Sequence, residues 1–163
     1  MANLLRISEA SSLALHTMAV LARNPDRHLS NGELASILRA SEHTLAKVLQ
    51  HLVRSGLIES SRGPNGGFAL LRSPEDVTLW EVFEAIEGQL RLSGCLLGTS
   101  LCGGRECVLG ELVNSVNQQV MKVLFETSLA QLAASMRLCP TEELPPRPAL
   151  TAAEGPTPGP SPS

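Results

Sequence analysis

Between Ser41 and Gly56 the sequence carries one strongly patterned helix. Leu45, Val48, Leu49, Leu52 and Val53 recur at a period of about 3.6 residues, and Gly56 stands where a helix commonly ends in a left-handed residue. A shorter apolar face, Leu34, Ile37 and Leu38, precedes it by a few residues. That face follows Ser30-Asn31-Gly32-Glu33, a capping box in which the serine hydroxyl meets a free backbone N–H and the glutamate reaches back. Ser41 supplies a second cap position almost at once. Two capped helices joined by so tight a connection leave few arrangements other than a helix-turn-helix.

The flanking segments complete a small domain. Leu13, His16 or Thr17, Val20 and Leu21 follow helical spacing up to Asn24-Pro25. After Gly56, Leu57-Ile58-Glu59-Ser60-Ser61 and Phe68-Ala69-Leu70-Leu71 read as strands around Arg62-Gly63-Pro64-Asn65-Gly66-Gly67, a turn whose glycines allow positive φ. A hairpin directly after the second helix is a winged-helix layout. Residues 74–88 form a further capped helix, with Pro74 ahead of it, Thr78-Leu79-Trp80-Glu81 as a capping box and Gly88 as its stop. Leu79, Val82, Phe83 and Ile86 are expected to pack on the winged domain.

The fold class is therefore mainly α with a small β-hairpin wing, followed by a long helix. Four regions are expected: a winged helix-turn-helix over 1–88, a cysteine-bearing loop over 89–107, a dimerisation helix region over 108–138, and a disordered tail over 139–163. The stripe Leu109, Leu112, Val113, Val116, Val120, Val123 and Leu124 needs a cover, and a second copy supplies it through two-fold symmetry. Thr127 is expected to cap a shorter helix containing Leu129, Leu132 and Met136. From Pro140 the chain has eight prolines in 24 residues and few apolar side chains.

Charge sharpens the reading. Residues 1–72 hold eight Lys/Arg against five acids, a net +3, and the remaining 91 residues a net −6. A basic front and an acidic back suit a nucleic-acid-binding module joined to something else. Aromatic residues make up only 2%, which argues against a stacking platform for single strands. No apolar run reaches the roughly 18 residues of a membrane span, and Glu9 with its polar neighbours leaves no apolar core for a signal peptide. A cytoplasmic chain with reduced thiols is expected, so its four cysteines are not read as a disulfide framework.

Leu45-Ala46-Lys47-Val48-Leu49-Gln50, Gly56-Leu57-Ile58 and above all Arg62-Gly63-Pro64-Asn65-Gly66-Gly67-Phe68 resemble the IscR/NsrR-type family of winged helix-turn-helix regulators. Thr78-Leu79-Trp80-Glu81-Val82 and Glu84-Ala85-Ile86-Glu87-Gly88, followed by three loop cysteines, extend the likeness from about residue 6 to residue 138. The resemblance implies dimeric binding to double-stranded DNA, dimerisation through the long helix, and often an iron–sulfur cluster.

Candidate site residues follow. With its apolar face inward, helix 41–55 turns out Glu42, His43, Ala46, Lys47 and Gln50, and Thr44 lies in the same leading turns. Lys47 suits guanine or phosphate, Gln50 adenine and Glu42 cytosine in the major groove. Arg62, with Gly63 beside it, is placed by the resemblance at the adjacent minor groove. His51 and Arg54 lie farther along, within reach of phosphates, while Gly66 and Gly67 read as structural. Each of these side chains is also compatible with a plain solvated face.

Cys95, Cys102 and Cys107 are separated by six and four residues, with glycines at 94, 98, 103 and 104. Thiolates are the natural ligands of iron–sulfur clusters. Cluster-binding relatives space these cysteines nearer five and five, so the middle one is shifted. The fourth ligand is open: the positions matching the family's carboxylate or histidine are Ser12 and Gly110, with Glu9, His16, Glu106 and Glu111 nearby in sequence. Cys139 reads as an unrelated thiol. Both 2Fe-2S and 4Fe-4S remain open, beside a thiol switch, a ligand-responsive regulator without a cluster, and zinc, which the spacing suits least. A winged-helix module that binds protein, and an iron–sulfur carrier or enzyme, are the competing functions. No paired acid and base or activated nucleophile supports an enzyme.

Overall fold

The computed structural model of the chain describes residues 7–63, 66–88 and 107–136. In chain order these form α1 (Glu9–Ala22), α2 (Asn31–Leu38), α3 (Glu42–Arg54), β1 (Ile58–Ser61), β2 (Gly67–Leu70), a 3₁₀ turn (Pro74–Asp76), α4 (Leu79–Glu87), α5 (Val108–Glu126) and α6 (Leu129–Ser135). The expected helix-turn-helix and hairpin are present. Cys95, Cys102, Glu106, Cys139 and the proline-rich 139–163 stretch lie outside the described residues.

The core forms around α1. Ala14, Met18, Ala19, Val20 and Leu21 are buried, and α1 packs against α2, α3, β2, α4 and α6. Thr17, not His16, takes the inward position. Its hydroxyl donates to the Leu13 carbonyl at 2.7 Å, which satisfies a polar group that burial would otherwise penalise. Ser8 caps the helix, and the hydroxyls of Ser8 and Ser11 both donate to Oε1 of Glu87 at the far end of α4. These bonds hold the Glu87 carboxyl below the ordinary glutamate value, Ser11 contributing most.

The capping boxes at Ser30–Glu33 and Thr78–Glu81 are both formed. Two helix starts differ from expectation. Residues 74–88 are not one helix, because Val77 and Thr78 are extended and Thr78 opens a new helix. That extended stretch pairs with the segment leading into α6: Leu79 N–H donates to Thr127 O at 3.1 Å and Leu129 N–H to Val77 O at 2.7 Å. The same pairing moves the last cap from Thr127 to Ser128. Thr127 is occupied as the end of α5 and by Leu79, while Ser128 forms a third capping box with Gln131.

Burial separates two clusters. Val82 and Ile86 join α1, α2, α3 and α6 in the main core, as expected. Leu79 and Phe83 instead meet Leu124 of α5 in a smaller cluster extended by Trp80 and Val120. Trp80 stacks on Phe125 with ring centroids 4.6 Å apart and on Phe83 at 6.1 Å. Leu129 and Ala133 of α6 are buried in the main core, and Arg23 donates to the carbonyls of Ala133 and Met136 at the end of that helix. Beyond these anchors α5 is open: Val108, Leu109, Leu112 and Val123 are each more than half exposed. No described helix is long and apolar enough to cross a membrane.

The wing is fastened to the helical layer at Gly67. β1 and β2 pair antiparallel with Ile58 opposite Leu70 and Ser61 opposite Gly67. Leu29, just before α2, then adds a bridge to Phe68, with backbone bonds of 3.0 and 2.8 Å. At Gly67 φ is +152°, and a Cβ there would lie 2.6 Å from the Leu29 backbone. Gly56 also has positive φ, +72°, but faces open space. Gly67→Ala should therefore cost about 1–3 kcal/mol of stability through backbone overlap, and more than Gly56→Ala, which carries only the left-handed penalty of about 1 kcal/mol. Chemical denaturation of both variants checks this, and equal losses would contradict the close approach.

Candidate nucleic-acid interface

Helix α3 is polarised by its own sequence. Leu45, Val48, Leu49 and Leu52 are buried against α1, α2 and α4, so His43, Lys47, Gln50, His51 and Arg54 emerge on the opposite side, and Glu42 is exposed at the helix start beside Gly32 of α2. Thr44 differs from them: it is half-buried and faces a cleft beside α1. The start of α3 is steadied from α2, where Asn31 Nδ2 donates to the Glu42 carbonyl at 3.1 Å. Ser41 holds the expected cap position, but its hydroxyl makes no capping bond. The first turn of α3 therefore keeps backbone N–H groups without a side-chain cap, at the positive end of a 13-residue helix.

The wing projects beside this face. Arg62 and Gly63 are exposed at its tip, and Gly66 N–H donates to Gly63 O at 2.9 Å to close the turn. Gly66 and Gly67 are structural: a Cβ on Gly66 would lie 2.4 Å from the Ser61 carbonyl oxygen. At the base of the wing, His28 Nε2 lies 3.6 Å from Glu59.

Use of the basic side chains distinguishes this surface from the rest. Arg27 pairs with Glu33 at 2.5 Å, Arg72 with Glu81 at 2.5 Å, and Arg23 caps α6. By contrast, the side chains of Arg39, Lys47, Arg54 and Arg62 make no hydrogen bond or ion pair among the described residues. Nor do those of His43, Thr44 and Gln50. Of the described cations without a partner, four lie on α3, its leading turn and the wing, and Lys122 lies on α5.

Arg39 carries no motif that marks it in the sequence. It ends α2 at φ 51° and ψ 40°, and no other non-glycine residue among those described has positive φ. That conformation costs an L-residue roughly 1 kcal/mol. The available signal is its place one residue past Leu38, where glycine or asparagine is the usual occupant. Arg39 lines a cleft of about 320 Å³ with Ser41 and Thr44 on one side and Glu9, Ser12 and His16 of α1 on the other.

Of the four thiols, Cys107 is the one that lies among the described residues. Cys107 is half-buried at the N-terminus of α5, and its carbonyl accepts from Glu111 N–H at 2.9 Å. Cys107 itself is extended as the N-cap residue, with no side-chain capping bond, and Glu111 is exposed in the first turn that follows. Of the other candidate ligands, Ser12 is half-buried, Gly110 lies in the first turn of α5, and Glu9 and His16 are exposed. His16 holds its Nδ1 2.7 Å from the Ser12 carbonyl. Among the described residues no three His, Cys, Asp or Glu side chains converge as a metal site.

Comparison with known proteins gives this arrangement a context. The Rrf2 family model, described as an iron-dependent transcriptional regulator, matches residues 7–135. YffB of Lactococcus lactis, named as a helix-turn-helix-type transcriptional regulator, is 31% identical over 136 residues, covering 79% of this chain and 87% of YffB. The regulator NsrR of Shouchella clausii is 34% identical over 92 residues, covering 56% of this chain and 62% of NsrR. Among solved structures, CymR, the global cysteine regulator of B. subtilis, superimposes with a TM-score of 0.70 at 27% identity, over 82% of this chain and 99% of CymR. IscR of T. potens gives a TM-score of 0.62 at 25% identity, over 81% and 92%. The likeness to IscR/NsrR-type regulators drawn from the wing and the recognition helix thus holds across the whole described fold, and the chain belongs to the Rrf2 family of transcriptional regulators.

Proposed function

We propose that this regulator binds double-stranded DNA as a homodimer, with α3 in the major groove, Arg62 in the flanking minor groove, and a sensor built on Cys95, Cys102 and Cys107. The observation that carries the reading is the set of open basic and polar side chains on α3, its leading turn and the wing, while Arg23, Arg27 and Arg72 are internally paired. Phosphate neutralisation by Lys47, Arg54 and Arg62 supplies affinity, and Glu42, His43, Lys47 and Gln50 read base edges, while Thr44 borders the cleft beside α1. A winged-helix module that binds protein would not need this open basic surface.

The dimer seam lies along α5. Its exposed apolar residues have no cover among the described residues, and a second copy related by two-fold symmetry buries them. The iron–sulfur reading rests on the three thiols and on Cys107 standing at the foot of that helix. A cluster supplies redox and oxygen- or nitric-oxide-responsive chemistry when bound. The chain's own residues would hold it between the winged domain and the seam, so that its presence biases their relative pose. A cluster-free thiol switch on the same cysteines is the second reading, favoured by Ser12 and Gly110 standing where the resemblance puts a fourth ligand.

Three measurements test these statements. Arg62→Ala should weaken binding to a selected palindrome about tenfold, more at A·T-rich flanks, and make the salt dependence shallower. Equal affinities for wild type and variant would remove the wing contact. Leu112→Asp, at a position more than half exposed in the protomer, should leave the circular dichroism spectrum unchanged while sedimentation shifts from dimer to monomer. A dimer that persists places the seam elsewhere. Chain purified without oxygen should be brown and contain iron and sulfide; Cys95→Ser, Cys102→Ser and Cys107→Ser should each abolish the colour and Cys139→Ser should keep it. Colourless protein after anaerobic reconstitution would leave the thiol switch.

A further inference from the structure

The turn joining α2 to α3 holds a basic residue in a backbone conformation that its side chain does not favour. We propose that Arg39 grips a phosphate of the DNA backbone beside the groove that α3 enters, adding affinity that does not depend on base sequence. The inference rests on the DNA-binding reading of α3. Three observations converge on it. Arg39 stands at φ 51°, where glycine or asparagine would fit with less cost, so nothing in the turn itself calls for arginine. Its exposed guanidinium has no hydrogen-bond or ion-pair partner among the described residues, unlike Arg23, Arg27 and Arg72. It also lines one cleft with Ser41, whose hydroxyl is not used as a cap, and with Thr44 in the leading turn of α3.

The geometry favours a backbone phosphate over a small anion. Glu9 lines the α1 side of the same cleft, so an anion enclosed there would meet a carboxylate. A phosphate arriving along α3 meets the fork of guanidinium donors, the Ser41 hydroxyl and the uncapped first turn. Binding to phosphate alone carries no base information, so the contribution should be the same at every site.

The test uses the full chain and two variants that separate charge from backbone. Arg39→Gln keeps a side chain in the left-handed turn and removes the charge; Arg39→Gly removes both the charge and the misfit. Both should bind specific and non-specific duplexes about three- to tenfold more weakly, with the slope of log affinity against log salt shallower by about 0.9 for each phosphate no longer neutralised. Arg39→Gly should melt at or above the wild-type temperature while binding less, an outcome a purely structural role would not produce. Arg39→Lys should retain most of the salt slope. If Arg39→Gln binds like wild type with the same slope while Arg62→Ala is weakened, Arg39 makes no such contact and the DNA reading stands. If the wild-type chain shows no salt-dependent duplex binding, both readings fall. If inorganic phosphate raises the melting temperature of wild type but not of Arg39→Gln, and duplex binding is unchanged in the variant, the cleft takes a free anion and the proposal is overturned.

Discussion

Burial of α1 is the constraint on which the rest of the structure depends. Ala14, Met18, Ala19, Val20 and Leu21 leave this helix enclosed by α2, α3, α4, α6 and the wing. Each surrounding element therefore has its inward face set by the same shared surface. For α3 the consequence is functional: with Leu45, Val48, Leu49 and Leu52 directed into the core, helical geometry directs His43, Lys47 and Gln50 outward. The proposed recognition surface is thus the reverse side of the packing, held in place by the core behind it.

A second principle separates bracing charges from open ones. Glu33, Glu81 and Glu87 are held below the usual carboxylate range by hydroxyl, backbone and arginine partners at helix ends, where such bonds fasten one element to the next. The outward side of α3 has none among the described residues, and its cations remain available to a polyanion. Net charge for the whole chain is −3, so the property that matters for DNA is the local arrangement and not the total.

Much of this is legible in the chain. The Ser30 and Thr78 capping boxes, the period of Leu45 to Val53 and the glycine-rich turn each have a local cause that operates over a few residues. The outward set on α3 follows from the same periodicity, and the fold and family likeness follow from the order of these pieces. Arg39 is not legible, because a left-handed arginine looks in sequence like any charged residue after a helix. Thr44 belongs by sequence to the leading turns of the open face and instead turns toward the cleft, since helix periodicity places a residue relative to its own axis and carries no knowledge of where α1 passes.

The sequence by itself determined the helix caps, the hairpin, the amphipathic faces and the identity of the thiols, because these depend on neighbours a few positions apart. Tertiary structure alone decided which surfaces met. It paired the residues before α4 with those before α6, which separates the turn at Pro74 from the helix that Thr78 caps and moves the last cap to Ser128. It brought Gly67 against Leu29, so that a glycine legible as a turn residue became a contact where no side chain fits. It also brought Trp80 onto Phe125, far along the chain, anchoring one end of α5 while the rest of its apolar face stays open. Contacts between distant segments depend on how much apolar surface each packing buries, a property of the assembled chain that no local window contains.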